Sequence, residues 1–394
     1  MGGVLQVRMY PFTETGRFIC ERQDAALTTP GAASLFLTFC WKGARSAPAA
    51  PNPYPPPVGA SISPDRIEEA AHVIDPVFLH SPQFVCEPLS ERLGVITVLK
   101  VESINPIRSF KGRGADYLMH TLGDDSSRVV CASAGNFGQG MAYACRKRGR
   151  HITVFAAHTA NPLKIDRMRA LDAHVEVTGD DFDQAKDAAK RHAESRGDVY
   201  IEDGRIAAIT EGAGTIALEL GENEEPLDAI FVPLGNGALV NGIGTWIKHH
   251  SLETRVIAVC AQNAPAMALS FQARTPTRAS SATIADGIAV RVPVPEAVDA
   301  MASTVDEVML VSDDEMILAM RHLLSEAGLV VEPAGAVGVA AIAQRSQQLR
   351  GSRVAAILTG GNLTGEQIAL WLGGRPTGAR GRRGSPARPV VPAG

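Results

Sequence analysis

From about residue 63 onward the chain alternates between two rhythms of apolar and polar positions. Short, nearly unbroken apolar runs recur: "VITVLKV", "RVVCAS", "HITVFAA", "HVEVTG", "DAIFVPL", "RVIAVCA" and "RVAAILT". Helix-length segments separate them, among them "FKGRGADYLMHTL" and residues 136–148. A strand covered on both faces needs no polar alternation, so these runs predict short buried strands of a mostly parallel sheet. The strand–helix alternation predicts an α/β fold with helices on both faces of the sheet. Ser63, followed by Pro64, Asp65 and Glu68, predicts a helix start with Ser63 as its cap. No repeat of fixed period is present.

The pattern fails at both ends. Residues 46–59, "SAPAAPNPYPPPVG", are too rich in proline for a helix or a central strand. Residues 1–58 are therefore expected to form a Pro/Ala-rich extension outside the folded unit, and residues 376–394 a basic tail. Both are expected to be dispensable for activity.

Composition narrows the picture. With 394 residues and 45% hydrophobic content, the chain can bury a substantial core, as two or three domains or one bilobal unit. A net charge of −4 argues against general affinity for nucleic acid. The six cysteines form no CxxC pair and the ten histidines no HExxH. Reduced, mostly buried thiols in a cytoplasmic protein are the expectation. "AASLFLTFCW" falls short of the ~20 apolar residues of a membrane-spanning helix, and no signal peptide or membrane partner is read. His249 and His250 are expected at a helix end.

Lys111 carries the first chemical signal. It stands in "NPIRSFKGRGA", between a phenylalanine and a glycine, a few residues after a strand. A lysine on a solvated face needs no such neighbours. One that must attack a carbonyl does, because a partly apolar pocket disfavours the ammonium form. Three glycine-bearing loops follow other strands: "SAGNFGQG", "PLGNGALVNGIG" and "LTGGNLTG". Ligands of open α/β sheets gather at the carboxyl ends of strands, so these loops and Lys111 are expected to face one crevice. The second loop reads in three ways. It is a dinucleotide loop, though Val240 spoils the third glycine position; a cradle for a single phosphate; or a tight turn that serves packing alone.

In order along residues 63–372, "SFKGRGA", "SAGNFGQG", "GTIALEL", "PLGNGAL", "TIADGIAV", "VEPAGAVG" and "LTGGN" resemble the motifs of the serine/threonine dehydratase and serine racemase branch of the tryptophan-synthase-β-like, fold type II enzymes. The cofactor of that family is pyridoxal 5′-phosphate (PLP). The resemblance implies a large PLP-binding domain over 59–122 and 203–375, a small α/β domain over 123–202, and a homodimer. Lys111 resembles the lysine that forms the Schiff base with PLP, and Phe110 the residue packed against the pyridine ring. Asn136 resembles the asparagine that meets the ring hydroxyl, and Thr359 the hydroxyl residue that meets the ring nitrogen. Gly235, Asn236, Gly237, Ala238 and Leu239 resemble the phosphate cradle. Ser133, Asn136 and Gln139 stand where the family binds the substrate's α-carboxylate.

The implied activity is α,β-elimination of a β-hydroxy L-amino acid such as threonine or serine, giving a 2-oxo acid and ammonia. Lys111 would serve first as covalent anchor and then as base. The alternatives are a β-replacement or threonine-synthase-like lyase acting on an O-activated amino acid, and a non-catalytic PLP-binding protein. Several positions depart from the family pattern. Asn236 and Ala238 interrupt the usual glycine run, and Phe137 replaces a frequent histidine. Arg108 replaces a small residue, and is either a solvated residue at a helix start or a recogniser of an additional anion on the substrate. Cys260 and Ala266 align with the acidic ligands of the divalent-metal site of serine racemases, so no metal is expected. Ala134 stands where racemases carry their second acid–base serine, so elimination without racemisation is expected.

Overall fold

A computed structural model describes residues 62–123, 128–222, 225–251 and 253–373. The expected extension at 1–58 and tail at 376–394 lie outside the described residues. Among the described residues there are ten strands: β1 (Gln83–Val85), β2 (Ile96–Val101), β3 (Val129–Ala132), β4 (Ile152–Ala156), β5 (His174–Val177), β6 (Val199–Ile201), β7 (Ala229–Pro233), β8 (Arg255–Ala261), β9 (Glu307–Val311) and β10 (Arg353–Leu358). They form a six-stranded sheet in the order β1-β2-β10-β7-β8-β9 and a four-stranded sheet in the order β5-β4-β3-β6. Every pairing is parallel except that of β1 with β2.

The apolar runs have the burial their pattern predicts. Leu99, Val101, Phe231, Ile257, Val259, Ala356 and Leu358 share one core cluster. Their alternate neighbours Val98, Ile230, Val232, Val256, Ala258, Ala355 and Ile357 share another. Successive side chains on these strands thus enter two different cores, one on each face of the larger sheet. The smaller sheet does the same, with Val129, Cys131 and Val154 on one side and Val130, Ala132 and Phe155 on the other.

The structure departs from the sequence reading at five elements. The segment "HVEVTG" is not a buried strand: β5 is an edge, and His174 and Glu176 are exposed. β1 is an antiparallel edge strand of three residues, β6 is equally short, and β9 begins on a glutamate, so none of the three shows a long apolar run. Ser63 does occupy the cap position of helix Pro64–Val73, but its side chain makes no capping bond. Its backbone N–H instead donates to Glu211 Oε1 at 3.1 Å. Cys86, Cys131, Cys145 and Cys260 are free and buried, as expected of reduced thiols.

Two features fix the helix that begins at Lys111 (Lys111–Thr121). The first is close approach to helix Ala207–Gly221, where a Cβ on Gly114 would lie 2.3 Å from the Ile209 carbonyl oxygen and one on Gly212 2.7 Å from that of Arg113. The second is a buried charge network. Arg113 donates to both Glu102 oxygens at 2.9 Å, to Glu219 at 2.5 and 2.9 Å, and to Thr215 Oγ1 at 3.0 Å. Lys100 donates to Glu219 Oε2 at 2.5 Å and to the Ser81 carbonyl at 2.9 Å. Two cations thus face two carboxylates, all out of reach of water.

Candidate active site

The loop before Lys111 is held by its own asparagine. Asn105 Oδ1 accepts from the N–H groups of Ile107 and Ser109 at 3.2 Å, while its Nδ2 donates to the carbonyls of Glu102 and Ser109 at 2.9 and 3.1 Å. The loop after β10 then clamps it. Phe110 N donates to the Thr359 carbonyl at 3.1 Å, Gly361 N to that of Arg108 at 3.1 Å, and Asn362 Nδ2 to that of Ile107 at 2.9 Å. Arg108 takes a left-handed backbone (φ 51) and its side chain is exposed. It does not line the cavity described next, which agrees with the solvated reading and not with a substrate contact.

Lys111 opens onto a cavity of about 400 Å³ at the carboxyl ends of the strands. Phe110, Lys111, Ser133, Asn136, Gly235, Asn236, Gly237, Leu239 and Thr359 all line it, so three loops and one lysine from both sheets converge. Lys111 Nζ lies 4.8 Å from the Phe110 ring centre and 5.8 Å from that of Phe137. It donates to Asp203 Oδ2 at 2.5 Å.

Two of the expected residues stand elsewhere. Gln139 is buried behind the cavity wall with its Nε2 unpartnered, one helical turn beyond Asn136 and facing inward. Ala238 presents no free N–H to a ligand, because that group already donates to Asn236 Oδ1 at 3.2 Å. The substitution of asparagine into the glycine run thus gives the loop an internal hydrogen bond.

The rest of the cradle fits an anion. Gly237 has φ 99 and leads into helix Ala238–His250, whose first N–H groups have no intrahelical acceptor. A Cβ on Gly235 would lie 2.9 Å from the Gly287 carbonyl oxygen, so the floor of the cradle admits backbone only. Ser133 folds the neighbouring loop, accepting from Gly135 N at 3.1 Å and Gly138 N at 2.8 Å. The N–H groups of Asn136 and Phe137 at the start of helix Asn136–Lys147 have no intrahelical partner. An amine beside a flat aromatic ring, with a phosphate-sized cradle across the cavity, suits PLP.

The sequence reading assigned no role to eight charged residues of the cavity, among them Lys164, Asp203, Asp286 and Glu332. Lys164 donates to Asp286 Oδ2 at 2.6 Å and lies 3.9 Å from Glu332. Burial opposes the charge on Lys164, but Glu332 and Asp286 outweigh it and hold the ammonium above the usual lysine range. Burial pushes the Glu332 carboxyl up, and Lys164 offsets only part of that. Glu332 accepts from Asn136 Nδ2 at 2.6 Å, and Asn136 Oδ1 accepts from Asn362 Nδ2 at 2.8 Å. The side-chain amide of Asn136 is thereby fixed in orientation. Asp286 and Glu332 belong to "TIADGIAV" and "VEPAGAVG", motifs that were visible without a chemical role. Asp203 follows the short β6, which left no apolar run to mark it.

At the positions of the metal ligands, Cys260 is buried, with its thiol pushed up to about 12 by burial. Ala266 opens a helix. Neither offers an oxygen. Among the described residues no cluster of three His, Cys, Asp or Glu is arranged to hold a metal, and no helix is long and apolar enough to cross a membrane.

Comparison with known proteins agrees with this geometry. The family model described as pyridoxal-phosphate dependent enzyme matches residues 76–360. An L-threonine ammonia-lyase of Thermotoga maritima is 35% identical over 305 residues, 77% of this chain and 76% of that protein. A biosynthetic L-threonine dehydratase of Lactococcus lactis is 32% identical over 76% of this chain and 75% of its own length. Among solved structures, the processed form of threonine deaminase isoform 2 from Solanum lycopersicum superposes with a TM-score of 0.73 at 30% identity, covering 78% of this chain and 92% of that one. Maize serine racemase gives 0.73 at 27% identity, over 78% and 95%.

Proposed function

This chain belongs to the pyridoxal-phosphate-dependent enzyme family, and we propose that it eliminates water from a β-hydroxy L-amino acid, threonine or serine, the enamine taking water back on hydrolysis to give a 2-oxo acid and ammonia. The observation that carries this reading is the match, over three quarters of both chains, to L-threonine ammonia-lyases and dehydratases. The cavity supports it with Lys111 in reach of an anion cradle and an aromatic wall. PLP, when bound, supplies the electron sink for the Cα–H bond pair. Every other task falls to the chain.

Lys111 would anchor the cofactor and, once displaced by the substrate, would take the Cα proton. Phe110 would form a wall for the pyridine ring, and the amide of Asn136, fixed by Glu332 and Asn362, would meet the ring hydroxyl. The Thr359 hydroxyl would meet the ring nitrogen without protonating it, which would favour β-elimination. Gly235, Asn236, Gly237 and Leu239 would hold the phosphate with the backbone and the helix dipole. The helix start at Asn136 and Phe137, shaped by Ser133, receives the α-carboxylate. In the same reading the protein is a cytoplasmic homodimer, and its sheets belong to a large lobe (59–122 and 203–375) and a small one (123–202).

The test is release of 2-oxo acid from a panel of amino acids by the PLP-loaded protein. Threonine is expected to give 2-oxobutanoate and serine pyruvate. Turnover of O-activated amino acids with none of β-hydroxy ones would replace this reading by β-replacement chemistry.

A further inference from the structure

Asp203 is the one carboxylate of the cavity whose only cation is the nitrogen that PLP takes. Asp183 pairs with Arg291 at 2.7 Å, and Asp286 pairs with Lys164 at 2.6 Å. Glu332 faces Lys164 and accepts from Asn136 and Asn362. Glu202 pairs with Lys186, with Lys190 at 3.6 Å and with Arg205 at 3.7 Å. From the β3 side the titratable neighbour of Asp203 is the Cys131 thiol, which burial keeps protonated. Asp203 itself has Lys111 Nζ on Oδ2 at 2.5 Å, and its Oδ1 is buried without a hydrogen-bond partner. The two side chains are only 14% and 15% exposed, so water does little to screen the pair.

An amino acid that enters a PLP enzyme must place its nitrogen on the same carbon atom that the lysine holds. That nitrogen arrives as an ammonium, and only the free amine is a nucleophile. When the linkage at each nitrogen carries one proton, the substrate nitrogen sheds two of its three protons; Lys111 gains one and leaves as the neutral amine that acts at Cα, and the other passes to water. A base within hydrogen-bond reach of both nitrogens is required.

We propose that Asp203 is this base: its carboxylate, which holds Lys111 Nζ on Oδ2 at the cavity wall, takes protons from the incoming ammonium and delivers one to Lys111. Asp203 begins and ends the exchange as a carboxylate, and with one proton on Lys111 and the other in water the protons balance. It acts on amine exchange, before any bond at Cα or Cβ breaks. The proposal rests on the PLP-dependent reading above, but not on the elimination.

The experiment uses L-alanine, which exchanges with Lys111 but has no β-leaving group. The absorbance change of the PLP-loaded protein on mixing with alanine is followed from pH 6 to pH 9 in wild type and D203N. Exchange in D203N is expected to slow about 10²-fold at neutral pH. Its rate should climb with pH toward the amine pKa of alanine, where free amine enters directly. In the absence of any amino acid, the pH at which the long-wavelength band of the PLP-loaded protein is lost should fall by about one unit in D203N, because a neighbouring carboxylate favours the protonated linkage. If D203N fails to retain PLP, D203E replaces it. That variant returns a displaced carboxylate, and exchange slower than wild type but with the wild-type pH profile is expected. Alanine exchange at the wild-type rate and pH profile in D203N, or a rate in D203E that rises toward the amine pKa, overturns the proposal. A wild-type protein that exchanges alanine but never releases 2-oxo acid would instead sink the dehydratase reading and leave Asp203 in place.

Discussion

Replacing Glu219 by glutamine tests the network beneath the Lys111 helix. In the native protein Arg113 and Lys100 are balanced by Glu102 and Glu219, and all four are buried. E219Q leaves two enclosed cations against one carboxylate. Breaking a buried pair from one side costs about 3–5 kcal/mol, because an uncompensated charge is left in a medium of low dielectric. The glutamine oxygen still accepts from one donor, so the lower figure, about 3 kcal/mol, is expected. For a folded unit of this size that lowers Tm by about 5 °C. Burial raises the Glu219 carboxyl pKa, but Arg113 and Lys100 outweigh it and hold the group below its ordinary range. Its stabilisation is therefore complete above the unfolded carboxylate pKa and is lost as pH falls through the lower, folded value. The deficit of E219Q should accordingly shrink in acid. The assay is thermal unfolding across pH, with Lys100→Met added to restore neutrality and recover part of the loss. A Tm within about 1 °C of wild type at neutral pH would refute the argument, as would a double variant no better than E219Q.

Three shorter expectations accompany it. Lys111→Ala should abolish covalent PLP attachment and turnover, and borohydride reduction with peptide mapping should find the cofactor on Lys111; label on another lysine defeats the assignment. L-Serine recovered from deuterated buffer should contain no appreciable D-isomer, since the Ala134 methyl at the cavity wall carries no proton; gain of D-serine by Ala134→Ser would support this, and D-serine from wild type would end it. Activity should persist after treatment with a chelator, because Cys260 and Ala266 supply no oxygen ligand; a strong loss restored by Mg²⁺ is the contrary result.

The larger part of the fold was legible because parallel strands in this chain are buried on both faces and read as unbroken apolar runs. β1 and β6, of three residues each, are too short to show a rhythm, and β9 carries a glutamate at its start. Lys111 was legible from its neighbours, Phe110 and Gly112. Asp203 was not, since a carboxylate after an unmarked strand looks like any loop residue. Gln139 shares a helix face with Asn136 but lies one turn further along, buried and off the cavity wall, so a common face did not bring it to the site. Glu219 sat in plain view within "GTIALEL", yet its partners Lys100 and Arg113 lie more than a hundred residues away, where no local pattern reaches.

The position of β10 has a consequence for biosynthesis. It is the last strand of the described chain, yet it lies between β2 and β7. Until residues 353–358 leave the ribosome, both neighbours lack their inner partner and present open backbone edges. The loop after it also supplies the carbonyl and side-chain clamps on residues 107–110. The reactive lysine therefore acquires its final setting only after β10 and the loop that follows it have been made, and such long-range closure is slow. Incomplete chains are the aggregation-prone species of this protein, and chaperone dependence should concentrate on them.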